Sequence, residues 1–268
     1  MTNGIKIGFI GVGNMSGAVI DAILHAQIVT SEQIYLYNPT VSKLARFNGA
    51  NICSSNSEVA DSCELIFLGI KPQMLSSVAP EVNGHLSKKC VVSMLAGVST
   101  SSLHTALGSD VFVIRTLPNT PLLVGKGTTV IAKPCGVPEH FESAVNEIFS
   151  AAGVVKMLDE SLINEAIPLS SSSPAFFFRM ISAMTASGVR RGISESTAME
   201  LALSTMHGAC HMMEQSNETT AELIAKVTSK GGTTLAALSA FDDCKFEELI
   251  DDAFDRCIAR AEELGKAK

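Results

Sequence analysis

Up to about residue 158 the chain alternates short apolar runs with helical patterns. Ile5–Ile10, Ile34–Asn38, Leu65–Ile70, Cys90–Leu95 and Val111–Thr116 read as strands. Apolar runs this short, set between helical stretches, imply strands buried on both faces of a parallel sheet. Asn14–Ala26 lies between the first two and suits a crossover helix, and repeated β-α-β units make a doubly wound, Rossmann-like α/β domain. Thr128–Ala132 and Val154–Leu158 are expected to complete the sheet, with the segment KPCGVPE between them as a loop. After about residue 160 only helical periodicity remains. Phe246, Leu249, Ile250, Ala253, Phe254, Cys257, Ile258 and Ala261 recur at three- and four-residue steps, which is one apolar face of a helix. Between Ser194 and Gln215, Met199, Met206, Met212 and Met213 sit among alanines and leucines. Such a helix is apolar over much of its circumference and should be buried, in part by another subunit, with the methionines as ordinary core filling. The predicted organisation is an α/β domain over residues 1–158 and an all-α domain over 159–268, with the boundary near Asp159.

Charge and composition narrow the partners. The net charge is −7 and the basic residues are scattered, which argues against nucleic acid and against an anionic membrane surface. An apolar fraction of 46% supplies a substantial core without any run resembling a membrane span, which needs ~20 consecutive apolar residues. The opening MTNGIKIGFIGVG lacks the features of a secretory signal. The 7 cysteines are dispersed, odd in number and without a C-x-x-C pair, so reduced thiols in the cytoplasm are expected.

The first strand runs into Gly11-Val12-Gly13-Asn14-Met15-Ser16-Gly17, which opens the first helix. Gly11 permits the tight turn and Gly13 lets the backbone approach a pyrophosphate at a helix N-terminus. Ser16 holds the usual third glycine position and is small enough for close helix–strand packing. This context points to a dinucleotide. An acidic residue at the end of the second strand would bind the ribose hydroxyls of NADH. Here Asn38, Thr40, Ser42 and Lys43 offer neutral or cationic donors instead, which favours NADPH and leaves NADH possible. An aspartate at position 38 is expected to reverse that preference.

Four stretches together resemble pyrroline-5-carboxylate reductases: GFIGVGNM at Gly8–Met15, FLGIKPQ at Phe67–Gln73, RTLPNTPLLVGKG at Arg115–Gly127 and VTSKGGTTLAAL at Val227–Leu238. Their order and spacing fit along essentially the whole chain. The resemblance implies NAD(P)H-dependent reduction of a small cyclic imine, 1-pyrroline-5-carboxylate, to proline, and a helical second domain that intertwines with a partner in a homodimer or higher homo-oligomer. By resemblance, Gly11, Gly13, Asn14 and Met15 line the pyrophosphate, and Asn56 falls near the adenosine ribose. Ile70, Lys71 and Pro72 match a turn beside the cofactor, Ala96 matches an alanine after the fifth strand, and Pro118 and Asn119 lie near the nicotinamide. Ser229, Gly231, Gly232, Thr233 and Thr234 resemble the loop that receives the substrate, and Glu160 aligns with an acidic residue near that pocket. Consecutive small residues can aim backbone N–H groups at a carboxylate, while the Thr234 hydroxyl could serve the ring nitrogen.

The chain departs from the family pattern at three places. Ser171 and Ser173 stand where the family has glycines, and Lys230 replaces a proline. Serine tolerates positive φ poorly, yet Ser173 is expected to cap the helix that Pro174 begins. Two other constellations are weaker. His207 and His211 lie one helical turn apart, but Gly208 takes the place of the metalloprotease glutamate, so no metal is expected. A β-hydroxyacid dehydrogenase would carry a lysine early in its helical domain, and none occurs between Lys156 and Lys226. A catalytically idle NADPH-binding paralogue is the alternative from another class.

Overall fold

The structure is a computed structural model that describes residues 4–266. Its first elements are β1 (Ile7–Ile10), α1 (Asn14–His25), β2 (Ile34–Tyr37), β3 (Asn51–Ile52), α2 (Asn56–Ser62), β4 (Leu65–Leu68) and α3 (Leu75–Val82). They are followed by β5 (Cys90–Ser93), α4 (Thr100–Leu107), β6 (Phe112–Leu117), β7 (Gly127–Ala132), α5 (Glu139–Ser150) and β8 (Gly153–Leu158). The strands form one sheet in the order β3-β2-β1-β4-β5-β6-β7-β8. Each predicted strand forms. The additional strand β3 has two exposed residues and therefore no burial pattern by which to recognise it. Neighbours pair in parallel except β6 and β7, where Thr116 faces Ile131 and Leu117 faces Val130 in antiparallel register. An antiparallel neighbour needs only a short connection. Here a 3₁₀ stretch, Thr120–Val124, ends at Gly125, whose φ of 68° is left-handed.

β1, β4 and β5 are buried throughout, and their alternating side chains feed two core layers. On one face Phe9 stacks on Phe67 with centroids 4.8 Å apart, and Phe67 meets Phe149 of α5 edge-on at 6.1 Å. On the other, Ile10, Ile66, Leu68 and Val91 pack with Val59, Val78 and Leu103 from α2, α3 and α4.

The rest of the chain is helical: α6 (Ile163–Ala166), a π-helical turn over Ile167–Ser171, α7 (Ser173–Val189), α8 (Glu195–Gln215), α9 (Thr220–Val227), α10 (Thr233–Asp243) and α11 (Phe246–Lys266). Ser194 caps α8, and Thr219 with Glu222 forms a capping box on α9. The molecule forms two compact units. One joins the described residues up to Pro174 with those from Arg256 onward, and the other is Ala175–Asp255.

In the first unit a small third core packs Ala261 of α11 with Leu117, Val130, Ala132, Ile163, Ala166 and Ile167. Backbones touch nearby: a Cβ on Gly97 would lie 1.9 Å from the Ala261 carbonyl oxygen, and one on Gly265 would lie 2.0 Å from that of Gly97. In the second unit, Ala198 and Ala202 of α8 are buried, but Met199, Met212 and Met213 are 42%, 52% and 52% exposed. These methionines do not fill a core within the chain. They are exposed apolar side chains, as are Phe177, Phe178, Leu201 and Leu203 of the same unit.

Candidate functional site

Strands β1, β2, β4, β5 and β6 run parallel, so their carboxyl ends share one edge of the sheet. The order reverses between β1 and β4, the switch point where an open α/β sheet leaves a crevice. Gly11 opens that crevice. Its φ is +83°, and a Cβ would lie 2.7 Å from Ile70 Cγ2 and 3.0 Å from the Gly69 carbonyl oxygen, so no side chain fits. Gly13 is the N-cap of α1, and a Cβ there would meet nothing within 4 Å. The approach to the first turn of α1 is thus clear, and its N–H groups suit an anion. Ser16 is buried and donates its Oγ to the Gly11 carbonyl at 2.7 Å, while a Cβ on Gly69 would come within 1.8 Å of Ser16 Oγ. A serine here therefore fastens the glycine turn as well as packing closely.

Gly11, Gly13, Asn38, Asn56, Ile70 and Lys71 line one cleft of about 450 Å³, together with Thr40, Lys43 and Glu81. Asn14 lies in an adjoining depression with Ser42, Lys43 and Arg46. Met15 is half-buried in the first turn of α1, and Pro72 begins a 3₁₀ turn after Lys71. Asn56 Nδ2 donates to Glu81 Oε2 at 2.7 Å, which fixes its amide in the wall of the cleft.

Asn38 is buried with both ends of its amide engaged: Nδ2 donates to the Val12 carbonyl at 3.0 Å, and Oδ1 accepts from Thr40 N at 2.8 Å. That geometry revises the expected effect of Asn38→Asp. A carboxylate would face the Val12 carbonyl oxygen without a proton between them, loosening the turn that carries the glycines. Asn38→Asp should therefore weaken NADPH and NADH alike, by roughly tenfold for a lost buried hydrogen bond. Titration of both cofactors checks this, and a clean reversal of preference would contradict it.

Ala96 follows β5, half-buried in the loop that carries Gly97. Pro118 and Asn119 follow β6 and are buried. Asn119 ties three segments together, its Nδ2 donating to the Ser170 carbonyl at 3.0 Å and its Oδ1 accepting from Thr128 N at 2.8 Å. Glu160 Oε1 accepts from Thr100 N at the start of α4 at 2.6 Å and lies 3.6 Å from Arg115 Nη1. Arg115 is 4% exposed and also donates Nη2 to Asn164 Oδ1 at 2.6 Å. Burial pulls its guanidinium below the ordinary arginine range, opposed by the Glu160 carboxylate. Sequence reasoning placed Arg115 in a motif without a role, because its partners lie far along the chain.

Ser173 does not cap a helix. Its Oγ donates back to the Leu169 carbonyl at 2.8 Å, as serines inside helical turns do. The π-helical turn carries the chain from α6 into α7 with little interruption, so there is no free N-terminus to cap. Neither Ser171 nor Ser173 has positive φ, and the backbone here does not require the glycines that they replace. Ser171 Oγ donates to the Pro118 carbonyl at 3.4 Å.

In the second unit, Gly232 N donates to the Ser229 carbonyl at 2.9 Å and Gly231 has φ +75°. Lys230 has no positive φ, so Ser229–Gly232 is a type II turn with Lys230 at the position that proline favours. A Cβ on Gly232 would lie 2.5 Å from Ser229 Oγ. Gly232 is the N-cap of α10, with Thr233 and exposed Thr234 as the first helical residues. The turn leaves N–H groups available at the start of an 11-residue helix.

Residues 6–97 match a family model described as NADP oxidoreductase, coenzyme F420-dependent, and residues 160–264 match one described as pyrroline-5-carboxylate reductase dimerisation. A pyrroline-5-carboxylate reductase of Haemophilus influenzae is 35% identical, the match covering 96% of this chain and 97% of the relative. That of Escherichia coli is 34% identical, covering 98% and 99%. Among solved structures, a Plasmodium falciparum pyrroline carboxylate reductase with NADP bound superposes with a TM-score of 0.92 at 28% identity, covering 98% of this chain and 99% of the other. A 1-pyrroline-5-carboxylate reductase from Streptococcus pyogenes gives 0.90 at 26% identity, covering 97% and 98%. These likenesses run through both halves of the sequence, and the chain belongs to the pyrroline-5-carboxylate reductase family.

Proposed function

We propose that the protein reduces 1-pyrroline-5-carboxylate to L-proline with NADPH, as a homodimer or higher homo-oligomer in the cytoplasm. The observation that carries this is family membership over nearly the full length combined with an open glycine cleft at the switch point. The cleft suits a dinucleotide, since Gly13 leaves the start of α1 clear and the turn after β2 has no carboxylate. NADPH, when bound, supplies the hydride. The chain's own task is to hold a protonated imine in register and to exclude water from it. Gly11, Gly13, Asn14 and Met15 hold the pyrophosphate, Asn56 the adenosine ribose and Asn38 the turn that carries it, Ile70, Lys71 and Pro72 form a turn beside the cofactor with Ala96 after β5, and Pro118 and Asn119 serve the nicotinamide. The turn Ser229–Gly232 and the start of α10 receive the substrate carboxylate, Thr233 and Thr234 completing the loop. Glu160, held by Arg115 and Thr100, is assigned to the substrate by the same family resemblance. The many exposed large apolar side chains of Ala175–Asp255, Phe177, Phe178, Leu201 and Met212 among them, support burial against a second copy. Among the described residues no helix is long and apolar enough to cross a membrane.

The test is steady-state turnover of 1-pyrroline-5-carboxylate with NADPH. Binding of the cofactor without reduction would favour an idle paralogue instead. Within this mechanism the Thr234 hydroxyl hydrogen-bonds the ring nitrogen as it becomes an amine. Thr234→Ala should lower turnover by ~10- to 100-fold while cofactor affinity barely changes. Unchanged turnover would remove Thr234 from the reaction.

A further inference from the structure

We propose that Arg46 is the residue through which this chain selects a cofactor bearing a ribose phosphate, an inference that rests on the NADPH reading above. The turn directly after β2 contains no arginine, but Arg46, three residues beyond Lys43, lines the depression next to it. Arg46 lines the depression beside Gly13 and Asn14 with Ser42 and Lys43, and Lys43 also lines the main cleft, so the two spaces adjoin.

Three contacts direct the Arg46 guanidinium along α1 while leaving the side chain more than half exposed. It lies over the Phe47 ring with its Cζ 4.3 Å from the centroid. Its Nη2 occupies the space beside Gly17, where a Cβ would come within 2.5 Å. Its Nη1 pairs with Asp21 Oδ2 at 2.8 Å. Any side chain at position 17 would push the guanidinium away, so the glycine after Ser16 makes room for the arginine. The Asp21 pair is 55% and 45% exposed on its two sides, and an exposed pair of this kind is weak. It orients the guanidinium without competing strongly against a phosphate that carries nearly two charges. A guanidinium has five donors in a planar fork suited to phosphate oxygens, and Asp21 accepts from one nitrogen only. Lys43 and Arg46 thus place two cations beside an acid-free turn. NADH lacks the ribose phosphate and offers this pair only the pyrophosphate that both cofactors share.

The experiment is Arg46→Met in the full-length protein, which keeps the apolar stem over Phe47, with Kd for NADPH and NADH measured by fluorescence titration. NADPH should bind at least ~10-fold more weakly, as loss of a charge-assisted bidentate contact implies, and NADH should change less than about twofold. Arg46→Lys should recover part of the loss. The parent's NADPH preference should shrink as salt rises, and the variant's much less. Equal weakening of both cofactors would overturn the proposal by assigning Arg46 to the shared pyrophosphate or to the fold. An unchanged NADPH affinity in a variant of an NADPH-preferring parent would overturn it as well, with the cofactor reading left standing. A parent that binds both cofactors equally would defeat that reading and this one together.

Discussion

Replacing Gly97 with alanine is expected to destabilise the protein by about 3 kcal/mol or more, the sum of a strained backbone and an overpacked contact. Gly97 has φ +78°, and its new Cβ would lie 1.9 Å from the Ala261 carbonyl oxygen. The obstructing atom belongs to helix backbone, so it cannot turn aside as the tip of a side chain would. Either the loop after β5 or the last turns of α11 must move, and Ala261 would leave the small core that it shares with Leu117, Val130 and Ile167. Gly265→Ala meets the same surface from the other side, its Cβ 2.0 Å from the Gly97 carbonyl oxygen. Once one substitution has parted the backbones the other should add little, so the double variant should fall well short of the sum. Urea unfolding checks both statements through the midpoint at unchanged m. A loss below ~1 kcal/mol for Gly97→Ala would show that the contact yields easily.

Arg115→Ala should be nearly as damaging, at about 3 kcal/mol, the lower part of the range for breaking a buried ion pair. The lower part applies because Glu160 is 39% exposed and can recover water, whereas Arg115 is buried. What cannot recover is the 2.6 Å hydrogen bond to Asn164, together with the volume of the side chain. Glu160 joins Arg115 to the start of α4 through Thr100 N, so the damage should spread there. Hydrogen exchange offers a specific readout: amides in the first turn of α4 should lose protection in the variant while those of β1 and β4 keep it. Uniform loss across the sheet would mean that Arg115 holds the whole unit rather than this corner.

What was legible in the sequence is what burial pattern and local chemistry record. β1, β4 and β5 are apolar runs because both faces are covered, and the glycine turn lies where a strand meets a helix. β3 is two exposed residues and left no such trace. Ser173 carried a local signal, serine before proline, that a non-local arrangement overrode: the π-helical turn keeps the backbone helical and redirects the hydroxyl to Leu169. Asn38 and Asn119 could be marked by residue type and motif, but which atoms engage their amides depends on Val12, Ser170 and Thr128. Arg46 carries no local mark, since the turn that directly follows β2 ends before it. The space beside Gly17 that receives its guanidinium exists only once α1 has packed against the loop.

The last helix begins in one compact unit and finishes in the other, and this sets an order of events during synthesis. Leu117, Val130, Ala132, Ile163, Ala166 and Ile167 all leave the ribosome well before Ala261, their remaining partner. At about 5–20 residues per second, the roughly 90 residues in between take ~5–20 s. Throughout that interval this small core lacks its contribution from α11, although every strand of the sheet has been made. Nascent chains arrested in this window should therefore bind chaperones that grip apolar segments, and release them once α11 has emerged.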